Sequence, residues 1–221
     1  MSENKTIVIV QYSASFDGSA LSALSFANGL LLEGWITHVV FAFDGPIIDL
    51  FKQDGHTTHV FPHKNWLRRN SIPRFLKDLY TEILAGLRFR VTLQQIQPQA
   101  VCINTTTGLF AGVSANLMNI SVIWHLRELF DDIGGELVCP TIFKPIVRKV
   151  IYGMAIQVVV NALAVAQNIS GDKYLDQAIV VPNAVDRRFL LQKIINCIPE
   201  IRSVLALDTV LSSVFLGRPG L

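Results

Sequence analysis

The sequence predicts an α/β fold: a Rossmann-like, doubly wound, mostly parallel sheet with helices on both faces. Three observations carry this. Short runs rich in β-branched residues recur along the chain and are apolar on both faces, as strands covered from both sides are. Segments of helical composition separate them, with the spacing of βαβ units and right-handed crossovers. Polar and small residues follow the strands, where open α/β sheets gather their ligands.

The elements run in order. KTIVIVQY (5–12) is the first strand. In 15–34, Ala20, Leu21, Leu24, Ala27, Leu30 and Leu31 keep a helical period and Gly34 is a stop. A strand follows at 37–43 and a short helix at 45–55, with Pro46 near its first turn. Residues 56–63 form a third strand. The composition of 72–97 is helical, and Pro98 closes it. A strand at 99–104, a helix at 106–119 opened by threonines and a strand at 120–125 come next. A helix near 141–155, a strand at 157–160, a short helix and a strand at 178–183 complete the sheet. Residues 1–190 thus read as one Rossmann-like domain. Residues 191–221 read as a linker and an apolar strand, VLSSVFLGRPGL, that needs a further sheet.

The 221 residues suffice for a sizeable core. Nineteen basic against 17 acidic side chains give +2, which argues against a dedicated nucleic-acid binder. Cys102, Cys139 and Cys197 are far apart, and reduced thiols of a cytoplasmic protein are the simplest reading. The N-terminus has no apolar run after a basic start. From Val150 to Gly171 no charge occurs, but Gln157, Asn161, Gln167 and Asn168 interrupt the run, so a membrane span is disfavoured.

The candidate site residues stand after the strands. The first loop offers Asp17, Gly18 and Ser19, either as an anion- or sugar-binding turn at a helix start or as a plain N-cap. Asn104 and Thr105 follow the fourth strand, His125, Arg127 and Glu128 the fifth, Asn183 and Asp186 the last. In NISVIWHLRELFDD an apolar strand ends in titratable groups, and His125 is favoured as functional because Arg127 and Glu128 accompany it; the alternative is a core histidine beside a solvated ion pair. His56, His59 and His63 sit on an extended stretch, where a three-residue spacing alternates faces, so a metal site is disfavoured. Lys64, Arg68, Arg69, Arg74 and Lys77 form either a solvated face or a contact for anionic lipid or acceptor.

In their order, these loops resemble the N-terminal half of family 4 glycosyltransferases of the GT-B fold, over about residues 5–190. SFDGSALSALSFANGLLLEGWITHVV resembles the family's glycine loop, helix and second strand. QPQAVCINTTTGLFAGVSANLMNISVIWHLRE resembles its fourth and fifth strands, QVVVNALAVAQNI its sixth. IVVPNAVDRRF resembles "vipNGvD..rF", and VFLGR the "fvGR" that opens the C-terminal domain. The resemblance implies transfer of a sugar from a nucleotide-sugar donor to an acceptor, with retention and no metal or other cofactor. It implies that this half holds the acceptor, a sugar, lipid-linked sugar or polysaccharide, and that a donor-binding half, in a second chain or otherwise, completes the enzyme. By the same resemblance His125 contacts the transferred sugar, Glu128 is the acidic residue of the following turn, and both are the catalytic candidates. Gly18 and Ser19 lie near the donor phosphates, and Arg218 binds the pyrophosphate. The expected location is cytoplasmic, with peripheral contact at the inner membrane face.

The sequence departs from the family pattern. The first loop has one glycine, Asn161 replaces a serine, Ala184 replaces the glycine of NGvD, and the lysine and glutamates expected after Arg218 are absent. The alternative reading is a non-catalytic α/β binding module, a degenerate fragment. A nicotinamide-dependent oxidoreductase is disfavoured because GxGxxG does not follow the first strand.

Overall fold

A computed structural model of the chain describes residues 5–67, 71–130 and 137–182. The expected region 191–221, together with Asn183, Asp186, Arg218, Arg68 and Arg69, lies outside them. Seven parallel strands form one sheet in the order β3-β2-β1-β4-β5-β6-β7. They are β1 Thr6–Gln11, β2 Ile36–Phe41, β3 Thr57–Val60, β4 Ala100–Ile103, β5 Ser121–Leu126, β6 Gln157–Val160 and β7 Ala178–Val180. Five helices of more than one turn connect them: α1 Gly18–Leu32, α2 Ile47–Gln53, α3 Ile72–Ile96, α4 Leu109–Leu117 and α5 Lys144–Met154. Within the described residues, the strands and helices expected from the sequence are present, most of them shorter at their ends.

Alternation within the strands sorts the helices into two layers. Val8, Val10, Val40, Val101, Ile103, Val122, Trp124 and Leu126 join α3, α4 and α5 in one core through Phe89, Leu93, Phe110, Ala115, Val147 and Ile151. The opposite face carries α1 and α2. There Gln11 reaches Ser19 at the start of α1, and the Phe41 ring meets Phe51 of α2 edge-on at 5.3 Å. Gly86 lets α3 approach α4 closely, since a Cβ there would lie 2.9 Å from the Phe110 carbonyl oxygen.

The chain steps from β1 to β2 and β3 in one direction, then returns to β4 and proceeds in the other. The reversal between β1 and β4 opens a crevice at the carboxyl ends of the strands. None of the described helices is long and apolar enough to cross a membrane.

One boundary differs for an instructive reason. Helix α4 begins at Leu109, not at the threonines. Thr105 and Thr106 are drawn off by a carboxylate of the next strand end, and the helix starts only after Gly108.

Candidate functional site

The crevice is a cleft of about 610 Å³, lined chiefly by Gln11, Tyr12, Gly18, Thr105, Arg127 and Asn161, with Ser13, Asp17, Ser19, Asn65, Thr107, Glu128 and Leu137 completing the wall. Of the strands from β1 to β6, all but β2 send a residue to it from the carboxyl end or the loop that follows, β3 through Asn65.

The first loop is a turn built around one carboxylate. Asp17 is the N-cap of α1, with extended backbone, and its Oδ1 accepts the amides of Ser19 and Ala20 at 2.9 Å each. The Ser19 hydroxyl donates to the same oxygen at 2.8 Å, and Ser13 Oγ donates to Oδ2. Burial pushes this carboxyl up, but the hydrogen bonds from Ser13, Ala20 and Ser19 outweigh it and hold the pKa below its ordinary value. Asp17 therefore stays ionised and satisfied, spent on starting the helix. A Cβ on Gly18 would meet nothing within 4 Å, so the glycine leaves open space at the start of α1, on the cleft side.

The second carboxylate, Glu128, is equally occupied. It accepts the Thr105 hydroxyl at 2.7 Å, the Thr106 hydroxyl at 2.7 Å, the Thr106 amide at 3.1 Å and the Arg127 amide at 3.3 Å. Four donors on two oxygens use the capacity of a carboxylate. Glu128 ties the end of β5 to the loop after β4, and the Trp124 indole N–H reinforces the tie by donating to the Thr105 carbonyl at 2.8 Å.

Arg127 contrasts with both. It lies between the first loop and β5, donating from Nη1 to the Ser19 carbonyl at 3.2 Å and from Nη2 to His125 Nδ1 at 3.4 Å. Its Nε is buried and makes no hydrogen bond among the described residues. Burial lowers its pKa; Glu128, Cys102 and Asp17 pull the other way. A guanidinium is protonated throughout the working range. The cleft wall thus holds a cation with no carboxylate in ion-pair contact among the described residues.

His125 is the strand-end residue that the sequence places at the cleft. It is half-buried on the α1 face of β5 and stands behind Arg127, outside the cleft lining. Burial lowers its pKa to about 4, and the Arg127 charge adds to this, so the ring is neutral at pH 7. Because Nδ1 accepts from Arg127, the proton sits on Nε2, which is buried without a partner among the described residues. Asn104 is also set behind the wall: its Nδ2 donates to Gln11 Oε1 at 2.6 Å and its Oδ1 has no partner among the described residues.

Of the sequence-derived candidates, the cleft collects Asp17, Gly18, Ser19, Thr105, Arg127 and Glu128. It does not bring His125 or Asn104 to the surface. It adds Gln11, Tyr12, Asn65, Thr107 and Asn161, whose Oδ1 is buried and has no partner among the described residues. The signal for Gln11 and Tyr12 was polarity at the end of an apolar strand. The three histidines at which the sequence disfavours a metal site go to separate partners: His56 to Thr37 and Asn28, His59 to His38, His63 to the Phe61 carbonyl.

No family model and no curated protein matches the chain. Solved structures do. A glycosyltransferase from Rickettsia africae matches with a TM-score of 0.62 at 12% identity, over 90% of this chain and 49% of that one. HepE of Anabaena, in complex with UDP and glucose, matches with a TM-score of 0.61 at 16% identity, over 82% and 45%. A UDP-N-acetylglucosamine 2-epimerase matches with a TM-score of 0.52 at 12% identity, over 82% and 49%. The chain therefore has a Rossmann-like fold of the kind that makes one half of GT-B proteins, and it spans about half the length of the structures it matches. Likeness at these identities is one of fold, and function rests on the site.

Proposed function

We propose that the chain is the acceptor-side half of a retaining glycosyltransferase that takes its sugar from a nucleoside diphosphate donor. The observation that carries the reading is Arg127: a half-buried cation in the cleft wall, tethered to the first turn of α1 and lacking an ion-pair partner among the described residues. A guanidinium facing the space beside Gly18 suits the diphosphate of such a donor, whose leaving charge needs cationic stabilisation. The open space beside Gly18 admits it. Two of the fold neighbours, HepE of Anabaena and MurG of Acinetobacter baumannii, share the fold of this half, and the HepE structure holds UDP.

In this reading His125 supplies a neutral Nε2–H to a hydroxyl of the transferred sugar once the wall around it adjusts. Glu128 holds the Thr105–Thr106 loop in place for the sugar, acting as a positioning residue. Thr107, Asn161 and Asn65 offer hydroxyl and amide groups to the acceptor side. By the family resemblance Asn183 and Asp186 remain candidates for substrate binding and Arg218 for the donor pyrophosphate; all three lie outside the described residues. No metal is invoked in this reading, because the charge on the leaving group is met by arginine. The rest of the nucleotide belongs to a second lobe, in the same polypeptide or in a second chain.

A second reading, a non-catalytic α/β binding module, is favoured by one feature. Both cleft carboxylates are fully engaged, which leaves no free general base. Ligand-observed NMR with UDP-, GDP- and ADP-sugars tests the donor site. The transfer reading expects at least one donor to bind, to be displaced by inorganic pyrophosphate, and to be lost in Arg127→Met. Binding of none, or equal binding by Arg127→Met, would contradict it. A donor that binds and is neither transferred nor hydrolysed with the second lobe present would select the binding module.

A further inference from the structure

Helix α3 buries one side only. Phe75, Glu82, Ala85, Gly86, Phe89 and Leu93 face the sheet and α4. On another side Ile72, Leu76, Tyr80, Ile83, Leu87 and Val91 follow one another at intervals of three and four residues, which puts them in a single row. Their exposures run from 40% to 62%. Twenty-five residues of helix extend for roughly 37 Å. Single exposed apolar side chains are ordinary, but a continuous row of six is not.

The row has a cationic edge. Lys64, Arg74 and Lys77 border one cavity beside α3, together with a single acid, Asp78. Lys64 and Arg88 border the next, with Thr81 between them on the helix. None of these four cations forms an ion pair among the described residues, whereas Lys52 and Asp49 do, at 3.6 Å. The remaining acid of the helix, Glu82, is buried beneath it.

We propose that this face of α3 docks in the plane of a bilayer that carries anionic lipids, the apolar row entering the acyl boundary and Lys64, Arg74, Lys77 and Arg88 meeting headgroup phosphates. An apolar stripe flanked by basic residues is what a helix lying in a membrane interface needs. A second copy fits less well, since antiparallel pairing of the two rows sets cationic edge against cationic edge. The docking stands whatever the cleft does. Under the transfer reading, and resting on it, an acceptor carried by that lipid surface reaches the cleft past Tyr12 and Asn65, which line both the cationic cavity and the cleft.

Flotation of the 221-residue chain with phosphatidylcholine vesicles, with and without phosphatidylglycerol, tests the docking. The chain is expected to float with the anionic vesicles alone. Leu76→Ser with Leu87→Ser, and separately Lys77→Glu with Arg88→Glu, should each lower partitioning by about tenfold or more. Leu32→Ser, an exposed apolar position on α1, should change nothing. Nucleotide binding by the α3 variants should be unaltered, so failure of the docking and failure of the donor site read out separately. No flotation, equal flotation with both vesicles, or a dimer in sedimentation that Leu76→Ser with Leu87→Ser dissociates would overturn the proposal.

Discussion

The cleft and the outer face of α3 are incomplete in opposite senses. In the cleft the acids are satisfied and a cation is left over: Asp17 and Glu128 accept every hydrogen bond they can hold, while Arg127 Nε has none. On α3 the buried row is packed and an apolar row is left over. A leftover half-buried charge calls for a small anion, which restores ion pairing. A leftover apolar row calls for an apolar phase. The contrast teaches that what a surface lacks identifies its partner better than what it displays.

The comparison can be broken first at Glu128. Removing its carboxylate in Glu128→Ala strands the hydroxyls of Thr105 and Thr106 and two amides, so chemical denaturation should show a loss of about 4 kcal/mol. A loss under about 1 kcal/mol would mean that the network is not what holds the cleft.

Arg127→Met comes next. It should weaken nucleoside diphosphate binding about a hundredfold, near 2.7 kcal/mol, in calorimetry, with folding stability kept or raised because a poorly paired buried charge has gone. Vesicle flotation through α3 should not change. Parallel losses in both assays would merge the two surfaces into one.

The pH dependence of stability separates buried from exposed groups. Burial holds His63 at about 4 against an ordinary 6.5. The unfolded chain therefore binds more protons between these values, and stability present above pH 6.5 is lost as pH falls towards 4. Glu82, raised by burial to about 7 despite amides from Lys64 and Phe110, works the other way: its contribution is full below pH 4.5 and fades as pH rises through 7. Relative to His63→Phe, the unmodified chain should lose roughly 2 kcal/mol between pH 6.5 and 4 in denaturant titrations. Equal pH slopes would show that His63 is not held neutral.

The smallest effect is expected on α3. Leu76→Ser should move stability by no more than about 0.5 kcal/mol, since it is 49% exposed. A larger thermal destabilisation would mean that the row is already covered within the chain.

Much of this was legible in the sequence. The strand at 157–160 and the long helix closing before Pro98 came from β-branched runs and a breaker, signals that act locally. The cluster after β5 was visible as titratable residues ending an apolar run. Other features were not local. Glu128 claims Thr105 and Thr106 across 22 or 23 positions of chain, so neither the late start of α4 nor the withdrawal of its threonines could be read from the helix itself. His125 was expected at the cleft, but alternation along β5 turns it to the α1 face behind Arg127. Asn65 arrives from the loop before α3, in a stretch that reads as merely basic. The two rows of α3 are both apolar, and only packing against α4 says which is buried.

A crystal structure of the chain with a bound nucleoside diphosphate sugar tests the central claim most directly. The account predicts the diphosphate between the first turn of α1 and Arg127, with Arg127 Nε within hydrogen-bond reach of a phosphate oxygen and Gly18 beside it. A diphosphate bound elsewhere, with the Arg127 guanidinium still facing an empty cleft, would contradict it.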